Sequence, residues 1–180
     1  MTPFSQLRGV ARTCLGPLHA RAFETMRPDG IIHDEKSVEL TRHFEFDTSE
    51  IDWPYYQLQI AIRTEIIDEA TLNFLSRYPD SVIVNLGAGI DTRFHRLDNG
   101  KITWYEIDFP RVIELRRHFF KEHRRYHFVP GSVVTLKWLD NLPENYPYLF
   151  ITGLRVRVWV ILDLFEHTRK DFQTEILLVS

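Results

Sequence analysis

A single cysteine, Cys14, leaves no internal disulfide to be made, which points to a reducing compartment. Cys14 itself reads as a small buried apolar residue rather than a reactive thiol. No apolar run approaches the ~20 residues of a membrane helix. Met1 to Val10 mixes Gln6 and Arg8 with isolated apolar residues and lacks the core of a secretory leader. No membrane partner and a cytoplasmic location are expected. Charge of one sign is lacking too: 22 Lys+Arg against 25 Asp+Glu give a formal net charge of −3. That balance supplies no general attraction to nucleic acid. Repeats and low-complexity stretches are absent. So are the Gly-x-Ser-x-Gly elbow and the phosphate-binding P-loop, which removes the hydrolase and phosphoryl-transfer readings.

What is present is 180 residues of ordinary globular composition, 44% hydrophobic and 26% charged, enough for one core. The first third reads as helical. Val10 to Met26 has helical character interrupted at Gly16-Pro17, Arg27-Pro28-Asp29-Gly30 is a turn, and Glu35 to Phe44 is a short helix. Tyr55 to Tyr78 is the longest helix, with Leu58, Ile62, Ile66, Ala70 and Phe74 as its apolar face. The period then changes. Val82-Ile83-Val84 is a β-branched run without polar relief, the pattern of a strand covered on both faces. Further strands are expected at Ile102–Ile107, Tyr126–Val129, Leu149–Ile151 and Glu175–Val179, with helices over Pro110–Lys121 and about Val160–Asp171. This alternation implies βαβ units: an α/β, Rossmann-like, mostly parallel and doubly wound sheet. Residues 1–78 form a helical lead-in and 79–180 the sheet-bearing core.

Directly after the first strand comes Asn85-Leu86-Gly87-Ala88-Gly89-Ile90-Asp91-Thr92-Arg93. Glycines after a buried strand let the backbone approach a ligand closely. Asp108 follows Gly89 by 19 residues, at the end of the second strand, where an acid accepts hydrogen bonds from ribose hydroxyls. The plainer alternative is a tight turn at Gly87 and Gly89 with Asp108 capping the helix that opens at Pro110. A dinucleotide fingerprint needs a third glycine where this chain has Thr92, and Asp91 would repel a pyrophosphate. An adenosine ligand bearing ammonium and sulfonium groups, S-adenosylmethionine, suits the loop better than NAD.

These residues resemble the glycine motif of the leucine carboxyl methyltransferase family, which includes O-methyltransferases of polyketide synthesis. The similarity continues in Trp104-Tyr105-Glu106-Ile107-Asp108-Phe109-Pro110, in Val112 to Arg117 and in Gly131-Ser132-Val133. Upstream it takes in Arg27-Pro28-Asp29 and Ile60 to Thr64. The resemblance implies a class I fold and S-adenosylmethionine as cofactor. The methyl group would pass to a carboxylate or hydroxyl of a small molecule or peptide end. It assigns the cofactor to Gly87, Ala88, Gly89 and Asp91 of the loop, and to Asp108 at its ribose, with Glu106 as runner-up. Arg63 would pair with the methionyl carboxylate, and Ser132 and Val133 would lie near adenine. An arginine fork suits a carboxylate because it donates two parallel hydrogen bonds. A non-catalytic S-adenosylmethionine-binding protein and a nicotinamide-dependent oxidoreductase remain the alternatives.

The chain departs from the family after Phe150. Ile151 to Trp159 alternates basic and apolar residues where an acid is expected, and the last strands of a seven-stranded sheet are expected to be missing. Turnover should then lag behind binding, and the uncovered Ile176-Leu177-Leu178 strand should favour self-association. His118, His123 and His127 sit among Arg116, Arg117, Lys121, Arg124 and Arg125. With no cysteine or paired carboxylate to complete a metal site, they read as a solvated basic face. No metal is expected, and the catalytic base is not identifiable; His33, His43 and His95 are weak candidates.

Overall fold

Val82, Ile83, Val84 and Leu86 offer a strand no polar face, and such a strand is stable only inside a sheet. In the computed structural model of the protein they form β1 (Val82–Leu86), flanked on both sides. The structure describes residues 10–43, 53–152 and 174–178. The sheet has five strands in the order β3-β2-β1-β4-β5, every pairing parallel. The others are β2 (Thr103–Asp108), β3 (Tyr126–Pro130), β4 (Tyr148–Thr152) and β5 (Thr174–Leu178). β1 runs in register with β2 from Val82↔Thr103 to Leu86↔Ile107, and with β4 from Val82↔Tyr148 to Leu86↔Thr152. All residues of β1 and β4 are buried, which is why both read as continuous apolar runs. The chain leaves β1 toward β2 and β3, then returns to add β4 and β5 on the other side. The direction therefore reverses between β1 and β4, and in such sheets ligands bind beyond the carboxyl ends at that point. The expected α/β parallel architecture is present. The expected helix at Val160–Asp171 and the Ile151–Trp159 stretch beyond Thr152 lie outside the described residues.

The chain divides into two compact units, Met1–Asp68 with Gly89–Arg96, and Glu69–Ala88 with Leu97–Ser180. The second holds the sheet. Its core gathers Val84, Leu86, Ile107, Trp138 and Phe150, and two 3-10 turns, Val133–Thr135 and Lys137–Asn141, bring Val133 and Trp138 to it. After the short helix α4 (Arg93–Leu97), helix α5 (Pro110–Phe119) starts on a proline, whose missing N–H costs nothing in a first turn. Its Val112, Ile113, Leu115 and Arg116 are buried. Arg116 corrects the reading of a solvated basic face: this arginine is a core residue.

The first unit is helical. Helix α1 (Val10–Met26) runs through Pro17 instead of breaking there, and Leu18, Ala20 and Ala22 bury its following turns. Asp34 caps α2 (Glu35–Thr41) by accepting from Ser37 N at 3.0 Å. Helix α3 (Trp53–Arg77) begins in this unit and differs from expectation in its orientation. Leu58, Ile62 and Ile66 are 52%, 45% and 50% exposed, whereas Ile60, Ala61, Thr64 and Ile67 are buried. Two apolar stripes at helical spacing run along α3, and periodicity does not say which faces inward. Threonines disguise the inner one: Thr64 and Thr71 are buried, and the Thr64 hydroxyl donates to Ile60 O at 2.7 Å. Of the expected face, Phe74 in the second unit is fully buried.

Candidate functional site

In the sheet-bearing unit, Gly87 follows β1 with φ +71°, a conformation that favours glycine. Gly87 N donates to Ile107 O at 2.8 Å and Ala88 N donates to the same carbonyl at 3.2 Å. The turn is thus pinned to the end of β2, next to Asp108. Asp108 O in turn accepts from Gly131 N at 2.8 Å, immediately before Ser132. The carboxyl ends of β1, β2 and β3 therefore bring Gly87, Ala88, Asp108 and Ser132 together on one rim. Asp108 is half-buried, and its Oδ1 accepts from Phe109 N at 2.7 Å. The N-cap of α5 is Phe109, with no side-chain cap bond, so Asp108 is not its cap. Ser132 caps the following 3-10 turn through Val134 N at 3.3 Å, and Val133 packs against the core cluster.

Glu106 does not join that rim. It is fully buried within β2, where Oε2 accepts from Asn85 Nδ2 at 2.9 Å. Its Oε1 accepts from Arg116 Nη2 at 2.7 Å and Tyr126 OH at 3.1 Å. Arg116, also 0% exposed, lies over the rings of Phe120 and Phe128. A carboxylate surrounded in this way is a structural anion of the sheet.

The helical unit carries the other predicted residues. Gly89 has φ +52°, and a Cβ there would stand 3.2 Å from Cys14 Sγ, so both backbone and space call for glycine. Cys14 is half-buried against this loop. Asp91 accepts from Arg93 N at 3.0 Å and from Arg93 Nη1. Burial pushes its carboxyl up, but Arg93, Arg21 and Arg96 hold it far below the usual range. Arg93 and Arg96 also share Asp68, at 2.6 Å and 2.8 Å. Arg21 and Arg96 share Asp34, at 2.9 Å and 2.6 Å. Three arginines thus balance three aspartates. Arg63 stands outside that balance: among the described residues it makes no ion pair. It is half-buried, and burial lowers its pKa, while Tyr56 and Asp91 favour its charge and Arg21 and Arg93 oppose it. Arg63 thus lies close enough to Asp91, Arg93 and Arg21 to feel their charges without joining their ion pairs among the described residues.

Sequence reasoning missed Asp34, Asp68 and Arg96. Asp34 sits 58 residues from Thr92, which it contacts, so no local spacing reveals it. The only local signal was a helix-cap pattern ahead of Glu35. Among the described residues no cluster of three or more His, Cys, Asp or Glu has the geometry to hold a metal. No helix there is long and apolar enough to cross a membrane.

A parallel sheet of order 3-2-1-4-5, with a glycine turn after its central strand and an acid ending the next, defines a Rossmann-like α/β protein. Within that class the chain belongs to the leucine carboxyl methyltransferase family, whose sequence model matches residues 15–136. It is 35% identical to the tetracenomycin polyketide synthesis O-methyltransferase TcmP of Streptomyces glaucescens, over 81% of this chain and 55% of that one. It is 26% identical to the S-adenosyl-L-methionine-dependent methyltransferase dpfgK of Gibberella zeae, over 81% of this chain and 54% of that one. A Mycobacteroides abscessus protein named "Putative S-adenosyl-L-methionine-dependent methyltransferase" is 33% identical over 67% of this chain and 44% of its own. The chain thus spans about half the length of the curated relatives it matches.

Proposed function

We propose that the protein binds S-adenosylmethionine and serves methyl transfer to a carboxylate or hydroxyl oxygen of a small molecule. One observation carries this reading: the Gly87–Ala88 amides fastened to Ile107 O, which sets a ligand-approachable turn beside Asp108. TcmP and dpfgK, both methyltransferases by name, support the chemistry.

The residues present fit the cofactor. Gly87 allows backbone to approach the ligand, Asp108 would accept from the ribose hydroxyls, and Ser132 and Val133 would border adenine. The charge of Arg63 suits the methionyl carboxylate, and Gly89, whose positive φ and 3.2 Å approach to Cys14 Sγ disfavour a side chain, keeps the loop slim. Asp91, already held by Arg93, adds negative potential suited to an ammonium group. Glu106, enclosed by Asn85, Arg116 and Tyr126, is left out of the ribose role.

When bound and held at its ribose by Asp108, the cofactor would supply its electrophilic methyl group to an oxygen acceptor, with the sulfonium sulfur as leaving group. A carboxylate acceptor needs no base; a hydroxyl must also lose its proton. The contribution asked of the chain is to bind and orient, since in-line approach at about 3–3.5 Å supplies most of the advantage.

Calorimetric titration with S-adenosylmethionine tests the reading. Asp108→Ala removes charge-assisted hydrogen bonds worth about 1.5–3 kcal/mol, so affinity should fall about ten- to a hundredfold. Unchanged affinity in a folded Asp108→Ala protein, or binding of NADH in place of S-adenosylmethionine, overturns it.

A further inference from the structure

We propose that Asp34 is a positioning residue for the glycine loop, a buried anion that fixes the conformation of Ile90–Thr92 from outside the loop. This rests on the cofactor reading above, because it concerns the same loop. Asp34 is 0% exposed, and its two oxygens do different work. Oδ1 accepts from Ser37 N at 3.0 Å, which is all that capping α2 requires. Oδ2 accepts from Arg21 Nε at 2.9 Å, Thr92 Oγ1 at 2.5 Å and Arg96 Nη1 at 2.6 Å, none of them in α2. A cap alone does not account for the second oxygen.

Both flanks of Asp91 are tied to this carboxylate. On one side Thr92, fully buried, donates to it directly. On the other, Arg21 bridges from Asp34 to Ile90 O, which it reaches with Nη2 at 3.2 Å. Arg96 closes the ring by donating to Thr92 Oγ1 at 2.9 Å as well as to Asp34. The loop turns on Gly89, whose φ is positive and whose backbone has more freedom than any other residue's, so this point adds little stiffness of its own. Stiffness comes from a charge network anchored on α1 and on the segment before α2. A loop held in its binding conformation before the ligand arrives avoids the loss of affinity that a partly populated conformation brings. Asp34 touches no ligand in this scheme; it acts through Thr92 and Arg21.

Thr92→Val separates positioning from capping, because it deletes the loop hydroxyl and leaves the Ser37 cap intact. In the unliganded full chain, amide hydrogen exchange of Gly89–Arg93 should speed up while amides of β1 and β2 keep their rates. Affinity for S-adenosylmethionine should fall about five- to tenfold, the factor expected if the competent loop conformation drops to roughly 10–20% of the population. Thr92→Ser should restore both. Asp34→Asn, which weakens three donors at once, should exceed Thr92→Val in both readouts. Unchanged loop exchange in Thr92→Val overturns the proposal, as does faster exchange with unchanged affinity. If the wild-type chain fails to bind S-adenosylmethionine, the cofactor reading falls, and the exchange measurement alone still decides the clamp.

Discussion

Glu106 in the sheet-bearing unit and Asp34 in the helical unit are both 0% exposed, and the two are used differently. Among the described residues, Glu106 in the sheet pairs with one guanidinium, that of Arg116, and also accepts from Asn85 and Tyr126. Asp34 in the helical unit has two, and both of its arginines hold second partners: Arg96 with Asp68, Arg21 with Ile90 O. The first is a fully buried pair whose guanidinium lies over the rings of Phe120 and Phe128. The second is a node in a shared network. A buried pair is brittle because losing either partner leaves the other charge in a medium that solvates it poorly. A shared network loses one member and redistributes the rest.

The sharpest way to break this contrast is Arg116→Met. It removes the Arg116 guanidinium from fully buried Glu106 and should cost about 3–5 kcal/mol in chemical denaturation. Combining it with Glu106→Leu should recover a large part, because removing both charges leaves nothing to solvate. Asp34→Asn should cost less, about 1.5–3 kcal/mol, the range for hydrogen bonds to a charged group. If it proves as costly as Arg116→Met, the network shares nothing and the distinction fails.

Acid sharpens the same comparison. Burial pushes the Asp34 carboxyl up, but Arg21 and Arg96 outweigh it and hold the group below its ordinary range. Its folded pKa is therefore lower than its unfolded one. The stability it contributes is present in full above about pH 4 and is lost as pH falls through the folded value. The deficit of Asp34→Asn, measured by urea midpoints, should shrink from pH 7 to pH 3. A deficit independent of pH means the carboxylate's charge is not what holds the loop. The smallest effect belongs to an exposed pair, Lys36 with Glu39 at 2.8 Å on α2. Lys36→Ala should change stability by about 0.2–0.5 kcal/mol, since water screens it.

What the sequence revealed follows the range of the interactions. β1 and the Gly87 turn were legible because a β-branched run and a glycine act within a few residues. Asp108 was legible by its distance from that turn along a βαβ unit. The inward face of α3 was not, because Leu58, Ile62 and Ile66 match the period as well as Ile60 and Ile67 do, and only tertiary packing chooses between them. Pro17 looked like a break because propensity counts the missing hydrogen bond but not the buried Leu18, Ala20 and Ala22 around it. Arg116 was hidden among solvated basic neighbours. Its partner Glu106 lies ten residues before it, across the turn from β2 into α5, where charge patterning within a helix gives no cue.

The register of β1 has a consequence for synthesis. Its ladder with β2 closes at Thr103–Ile107, but its other edge waits for Tyr148–Thr152, 66 residues beyond the matching positions. From Thr103 of β2 to Tyr148 of β4 is 45 of those residues (148 − 103), and at ribosomal rates of about 5–20 residues per second that delay lasts roughly 2–9 s. Throughout that interval Val82, Val84 and Leu86 lie in a strand with one open edge, and closing it requires a long loop to form first. The nascent chain is therefore most exposed to mispairing between completion of β2 and arrival of β4, and a chaperone that shields β1 would act in that window.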